Sequence, residues 1–196
     1  DPATQLQLSL ALVEVGTTEP TLNVECIYKN NVEWTAVSSD IVKLNPDSTA
    51  SPCEGTKSIL GQAASNNINI VLTRSSSFAP GALYTQLPFT IKSLATWAGA
   101  RRLRFQWQLA GIPTGSYVDL LHGSFGFNGS DFISCQTLAI PMTSFNLSPI
   151  TQVDSLKITV VTSATMSFQL DNICLQDAPI VEIPTTTDEK VKVSSN

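Results

Sequence analysis

Alternation with a period of two recurs along this 196-residue chain, and no stretch carries a convincing helical period. Residues 5 to 12 read Gln-Leu-Gln-Leu-Ser-Leu-Ala-Leu, so Leu6, Leu8, Leu10 and Leu12 share one face of an extended segment. The same pattern returns at Ile68, Ile70 and Leu72, at Leu103, Phe105, Trp107 and Leu109, and at Leu156, Ile158 and Val160. A chain patterned this way folds as strands wet on one side and packed on the other. The expected fold class is all-β: a two-sheet antiparallel sandwich over residues 1–177, followed by a Pro/Thr-rich linker or tail over 178–196.

Cys26, Cys53, Cys135 and Cys174 are four cysteines with no Cys-x-x-Cys among them, and His122 is the only histidine, so zinc and dithiol redox chemistry are excluded. Two disulfides remain, which points to an oxidising compartment and a secreted or cell-surface protein. Four cysteines allow three pairings, and the favoured one places a bond in each half, Cys26–Cys53 and Cys135–Cys174. The triplets Asn128-Gly129-Ser130 and Asn146-Leu147-Ser148 are glycosylation acceptors that agree with export from a eukaryotic cell. No membrane span is expected, and the start at Asp1-Pro2 reads as that of a processed chain.

Eleven basic against sixteen acidic residues give a net charge of −5. The nearest thing to a basic cluster is Arg101, Arg102 and Arg104, too small for nucleic acid. His122 shares the parity of Val118 and Leu120, and no nucleophile motif accompanies it. Asp119 and Asp131 are loose candidates for a carboxylate pair, with nothing in their spacing to select them. The expectation is a protein that is not an enzyme.

Two hairpins can be registered from the pattern. In the first, Gly111 to Gly115 forms the loop, Leu109 opposes Val118 and Trp107 opposes Leu120. In the second, Leu156, Ile158 and Val160 pair with Leu170, Phe168 and Met166 across a Thr-Ser-Ala turn. The first hairpin exposes Arg104, Gln106, Gln108, Tyr117 and Asp119 on one face. Trp34, Trp97 and Tyr84 lie near loops and are free to be exposed aromatics.

Three passages in order resemble the galactose-binding-like jelly-roll modules, which include carbohydrate-binding modules and MAM-type extracellular domains. They are Cys53-Glu54-Gly55-Thr56-Lys57-Ser58-Ile59-Leu60, then Leu103 to Gly111 with its return strand through Tyr117-Val118-Asp119, then Phe168-Gln169-Leu170-Asp171-Asn172-Ile173. The resemblance covers roughly residues 22 to 176 and adds three implications. The sandwich is a jelly roll. Its concave face holds a polysaccharide or glycan through Arg104, Gln106, Gln108, Tyr117 and Asp119, with Trp34, Trp97 and Tyr84 as stacking rings. A structural Ca²⁺ sits at Asp171 with Glu25 as the early acidic ligand, the other reading of Asp171 being a strand-end carboxylate bonded to an amide.

The alternative is a structural or adhesive subunit of an extracellular fibre. There residues 1–21 supply a strand exchanged between subunits by β-augmentation, or the tail contacts another domain.

Overall fold

The computed structural model describes residues 22–29, 34–50, 52–97 and 99–177. The expected strand at Leu6 to Leu12, its exchange between subunits and the tail from 178 onward lie outside these residues. The described part is mainly β-strand, in two antiparallel sheets joined by loops and a few one-turn helices.

The seven-stranded sheet runs in the order β1 (Val24–Tyr28), β12 (Ile173–Gln176), β6 (Gln86–Ser93), β11 (Met166–Asp171), β4 (Ser58–Ala64) and β3 (Leu44–Ser48), with β9 (Gln136–Pro141) also paired to β6. The five-stranded sheet runs β2 (Thr35–Ser38), β5 (Asn69–Phe78), β10 (Val153–Val161), β7 (Arg102–Leu109) and β8 (Ile112–Leu120). Alternate residues of each strand enter the space between the sheets, as the period of two demands. Ile59, Phe89, Ile91, Phe168 and Leu170 meet Ile70, Leu72, Leu103, Phe105, Trp107 and Ile158 there, all buried. The Phe89 and Phe105 rings approach to 5.3 Å.

Three sequence expectations about pairing are corrected. The first hairpin turns at Ala110–Gly111, both in the left-handed region at φ 50° and 79°. That is the mirror-image two-residue turn whose twist suits a hairpin. Leu109 therefore opposes Ile112, Phe105 opposes Val118 and Arg104 opposes Asp119. The surplus residues of the return strand are absorbed between Thr114 and Val118, where the register slips. Gly115 sits in that bulge at φ 69°, and a Cβ there would meet the Phe145 carbonyl oxygen at 2.5 Å. Pro113 cannot donate to a ladder, and β8 accordingly lies at a sheet edge.

The second expected hairpin is an arch between sheets. β10 pairs with β5 and β7 in one sheet, while β11 pairs with β4 and β6 in the other. The Thr162 hydroxyl accepts from the Ala164 N–H at 3.0 Å and tightens the corner. Both strands bury alternate apolar residues, so period alone cannot separate pairing side by side from facing across a core.

The disulfides are Cys26–Cys174 and Cys53–Cys135, so the pairing within each half of the chain is wrong. Cys26 and Cys174 are direct cross-strand partners of β1 and β12. Residues 148 apart in sequence become neighbours because the first and last described strands close the same sheet. Cys53–Cys135 ties the loop before β4 to the loop before β9.

Candidate functional site

The outward face of β7 and β8 gathers four of the expected residues. Asp119 opposes Arg104 in the ladder, and the guanidinium forks onto its carboxylate, Nε to Oδ1 at 2.8 Å and Nη2 to Oδ2 at 3.0 Å. A two-pronged charged pair of this kind holds its geometry better than a single bond. Arg102 brings Nε to 3.1 Å from the same Oδ2, an ion-pair contact whose angle is not that of a hydrogen bond. The Arg104 guanidinium also lies 3.5 Å from the centre of the Tyr117 ring. Its hydrogen bond to Asp119 raises its pKa further, so the cation is permanent. Tyr117 nonetheless leaves 52% of its surface exposed.

Gln106 donates from Nε2 to the carbonyls of Thr114 and Gly115 at 3.2 and 3.4 Å, which fastens the bulge beside Tyr117. Gln108 is not part of the exposed group. It is 6% exposed and donates to the Gly111 carbonyl at 3.3 Å, serving the hairpin turn.

β10 adds two residues that the sequence reading missed. Lys157 is the cross-strand partner of Gln106, and Thr159 of Arg104. Their outward parity was legible beside Leu156 and Ile158. Their neighbours were not, because β10 was assigned to the wrong partner strand. The finished face is a row of Asn69, Thr159, Arg104 and Asp119 beside a row of Val71, Lys157 and Gln106.

The three expected aromatics are buried and take no part. Trp34 packs edge-on to Phe78 at 5.7 Å and near Trp107 at 6.4 Å. Trp97 packs on Phe127 at 4.7 Å and on Phe168 at 5.9 Å, with Gly129 against it because a Cβ there would meet the Trp97 Cβ at 2.6 Å. Tyr84 donates its hydroxyl to Glu25 at 3.0 Å, and burial together with that bond pushes its pKa up to about 12. Rings flanked by loop-forming residues fold inward here and join the buried apolar core. His122 accepts the Gly129 N–H on Nδ1 at 3.0 Å and so holds a loop.

Glu25 and Asp171 do not form the expected pair. Arg74 brings Nε to 3.1 Å from the Glu25 carboxylate, which also takes the Tyr84 hydroxyl. Asp171 is 1% exposed and accepts N–H bonds from Glu54 at 3.1 Å and from Asn172 at 2.7 Å. Burial raises its pKa most, and the nearby Glu54 charge adds to the rise. Thr90 is its cross-strand partner on one side, and the β4 register continued by one residue puts Ser58 on the other. Both hydroxyls are buried without hydrogen-bond partners. Asp171 thus stands among oxygens of the type a hard cation takes, with Glu25 outside that set. No cluster of three or more His, Cys, Asp or Glu side chains is arranged to hold a metal among the described residues. No helix among them is long and apolar enough to cross a membrane.

No protein-family model and no curated protein sequence matches the chain. Solved structures do match. The family 30 carbohydrate-binding module of the cellulosomal cellulase Cel9D-Cel44B of Clostridium thermocellum is 14% identical, with 79% of this chain and 98% of that one covered and a TM-score of 0.54. A family 29 carbohydrate-binding module is 11% identical over 80% of this chain and 89% of that one, at a TM-score of 0.47. A family 11 module from Clostridium thermocellum, solved with a β-1,3-1,4-mixed-linked tetrasaccharide, is 15% identical over 85% and 93%, at 0.45. With its two antiparallel sheets, their strand order and the likeness to the family 30 module, the chain has an antiparallel β-sandwich fold of the kind that module has.

Proposed function

We propose that this protein is a secreted, non-catalytic module that binds a polysaccharide or glycan on the outward face of its five-stranded sheet. Fold alone does not carry this. The observation that does is Arg104 locked between the Asp119 carboxylate and the Tyr117 ring, which presents a rigid donor and acceptor array beside a half-exposed aromatic. Paired sugar hydroxyls hydrogen-bond to groups of this geometry, and the apolar side of a pyranose stacks on a ring. Because the ion pair already holds the side chains, little rotamer freedom is lost on binding.

Calorimetric titration with soluble β-glucans and other plant and microbial glycans tests the reading. At least one is expected to bind, with Tyr117→Ala weakening it about tenfold, or ~1.4 kcal/mol. A panel without binding would sink the proposal, as would a variant that binds like wild type.

The same reading includes a structural Ca²⁺ held by Asp171, with Ser58, Thr90 and Glu54 supplying the nearby oxygens. A bound cation would offset the buried charge and pin the loop before β4. Thermal melts in Ca²⁺ and in chelator test it. At a hundred times its Kd the ion stabilises by about 2.7 kcal/mol, which separates the two curves by several degrees. Asp171→Asn is expected to abolish the separation, and coincident wild-type curves would remove the ion from the account.

A further inference from the structure

The opposite sheet carries a groove that the glycan-binding face does not explain. It lies on the outward side of the seven-stranded sheet and holds about 470 Å³, within the size range of small-ligand sites. Its floor is polar, with Gln62, Ser167 and Gln169. Leu60, Leu94 and Phe132 supply apolar surface, and Lys92 is the single charged lining residue.

Two features mark it as more than a crease between strands. Phe132 is 44% exposed and Leu94 41%. The Phe132 loop is held by its neighbours: Asp131 Oδ1 accepts the N–H groups of Ile133 and Ser134 at 2.9 and 3.0 Å, and Cys135 is bonded to Cys53. A ring kept in solvent by a clamped loop is pre-organised for stacking. Gln169 is 2% exposed and donates to the Ala50 carbonyl, while its Oε1 is buried with no hydrogen-bond partner. A buried acceptor without a partner is costly, so a ligand donor that reaches it as the amide turns toward the groove is favoured.

Lys92 decides the sign of the occupant. Its ammonium is within Coulombic reach of Asp131, but no salt bridge joins them among the described residues. No carboxylate lines the groove. The lining thus offers an anionic group one cation and no carboxylate, Asp131 lying outside it, with Gln62 and Gln169 on the floor beside it.

We infer that this groove is a second saccharide site, selective for a sugar unit that bears a carboxylate, with Lys92 on the carboxylate and Phe132 against the ring. It lies on the other sheet and does not depend on the Tyr117 face.

The experiment is a titration of ¹⁵N-labelled protein with an oligogalacturonate, with a neutral cello-oligosaccharide and with sodium acetate, each followed by amide shifts. Oligogalacturonate is expected to move Leu60, Gln62, Lys92, Leu94, Phe132 and Gln169 saturably. Lys92→Gln is expected to weaken this at least about tenfold, the worth of one charge-assisted contact. Phe132→Ala should weaken it about fivefold, and Tyr117→Ala should leave it unchanged. Phe132 is 44% exposed, and thermal melting checks that both variants fold. The inference is overturned if oligogalacturonate leaves these amides still, if both variants bind undiminished, if the neutral sugar binds as well, or if acetate alone reproduces the affinity.

Discussion

Replacing Trp107 by alanine is expected to lower the unfolding free energy by about 3–5 kcal/mol. The indole is fully buried and stands at the centre of an aromatic nest, 6.4 Å from Trp34, 6.3 Å from Phe78 and 6.0 Å from Phe145 between ring centroids. These neighbours come from separate parts of the chain, so none can relax into the space without moving its own strand or turn. Its Nε1 has no hydrogen-bond partner, so truncation forfeits packing and no polar contact. Urea denaturation of the two proteins gives the difference directly. Loss below about 1 kcal/mol would mean that the ring does not fill the core as described. Because Trp107 opposes Thr114 in the ladder beside the bulge, glycan binding is expected to weaken in the same variant.

The second large effect concerns the first disulfide. Cys26→Ala with Cys174→Ala is expected to cost about 2–5 kcal/mol. The bond closes a loop between residues 148 apart, and most of its worth lies in what it denies the unfolded chain. It also fastens β1 to β12 at the end of the seven-stranded sheet. Peptide mapping without reduction should recover Cys26 with Cys174 and Cys53 with Cys135. Recovery of Cys26 with Cys53 would contradict the strand order itself, since those residues belong to separated strands and loops.

Faces were legible in the sequence, and partners were not. The period of two correctly placed Leu103, Phe105 and Trp107 inside and Arg104 and Gln106 outside, because side-chain parity is a local property of extended backbone. Parity also put Asp119 on the outer side with Tyr117. The hairpin register failed for want of a turn signal: Ala110 at positive φ is unusual, whereas Gly111 and Gly115 advertised a longer loop. The arch after β10 failed for a different reason. An apolar strand followed by a short turn and another apolar strand satisfies both a hairpin and a crossing between sheets. The disulfide pairing, chosen to place one bond in each half of the chain, failed because only the sheet order brings Cys26 to Cys174. Trp34, Trp97 and Tyr84 are buried rather than exposed; nearness to Asn and Gly in sequence says nothing about whether a ring packs into the core. The resemblance supplied the fold correctly, yet its early acidic ligand, Glu25, is taken by Arg74.

The Arg104, Asp119 and Tyr117 cluster is a product of the bulge. Val118 must face inward, which sends Tyr117 and Asp119 outward, and the slip at Gly115 brings Tyr117 under the guanidinium. Gln106 then closes the bulge carbonyls, so its part in recognition is to hold Tyr117 in place as much as to meet a hydroxyl itself.

The most direct test of the account is an amide-shift map of the protein titrated with a β-glucan oligosaccharide that it binds in the panel. The account predicts saturable shifts centred on Arg104, Gln106, Tyr117, Lys157 and Thr159, with Asp119 following as its ion pair adjusts. Shifts confined to the seven-stranded sheet or to the loops, with those residues unmoved at saturation, would contradict it.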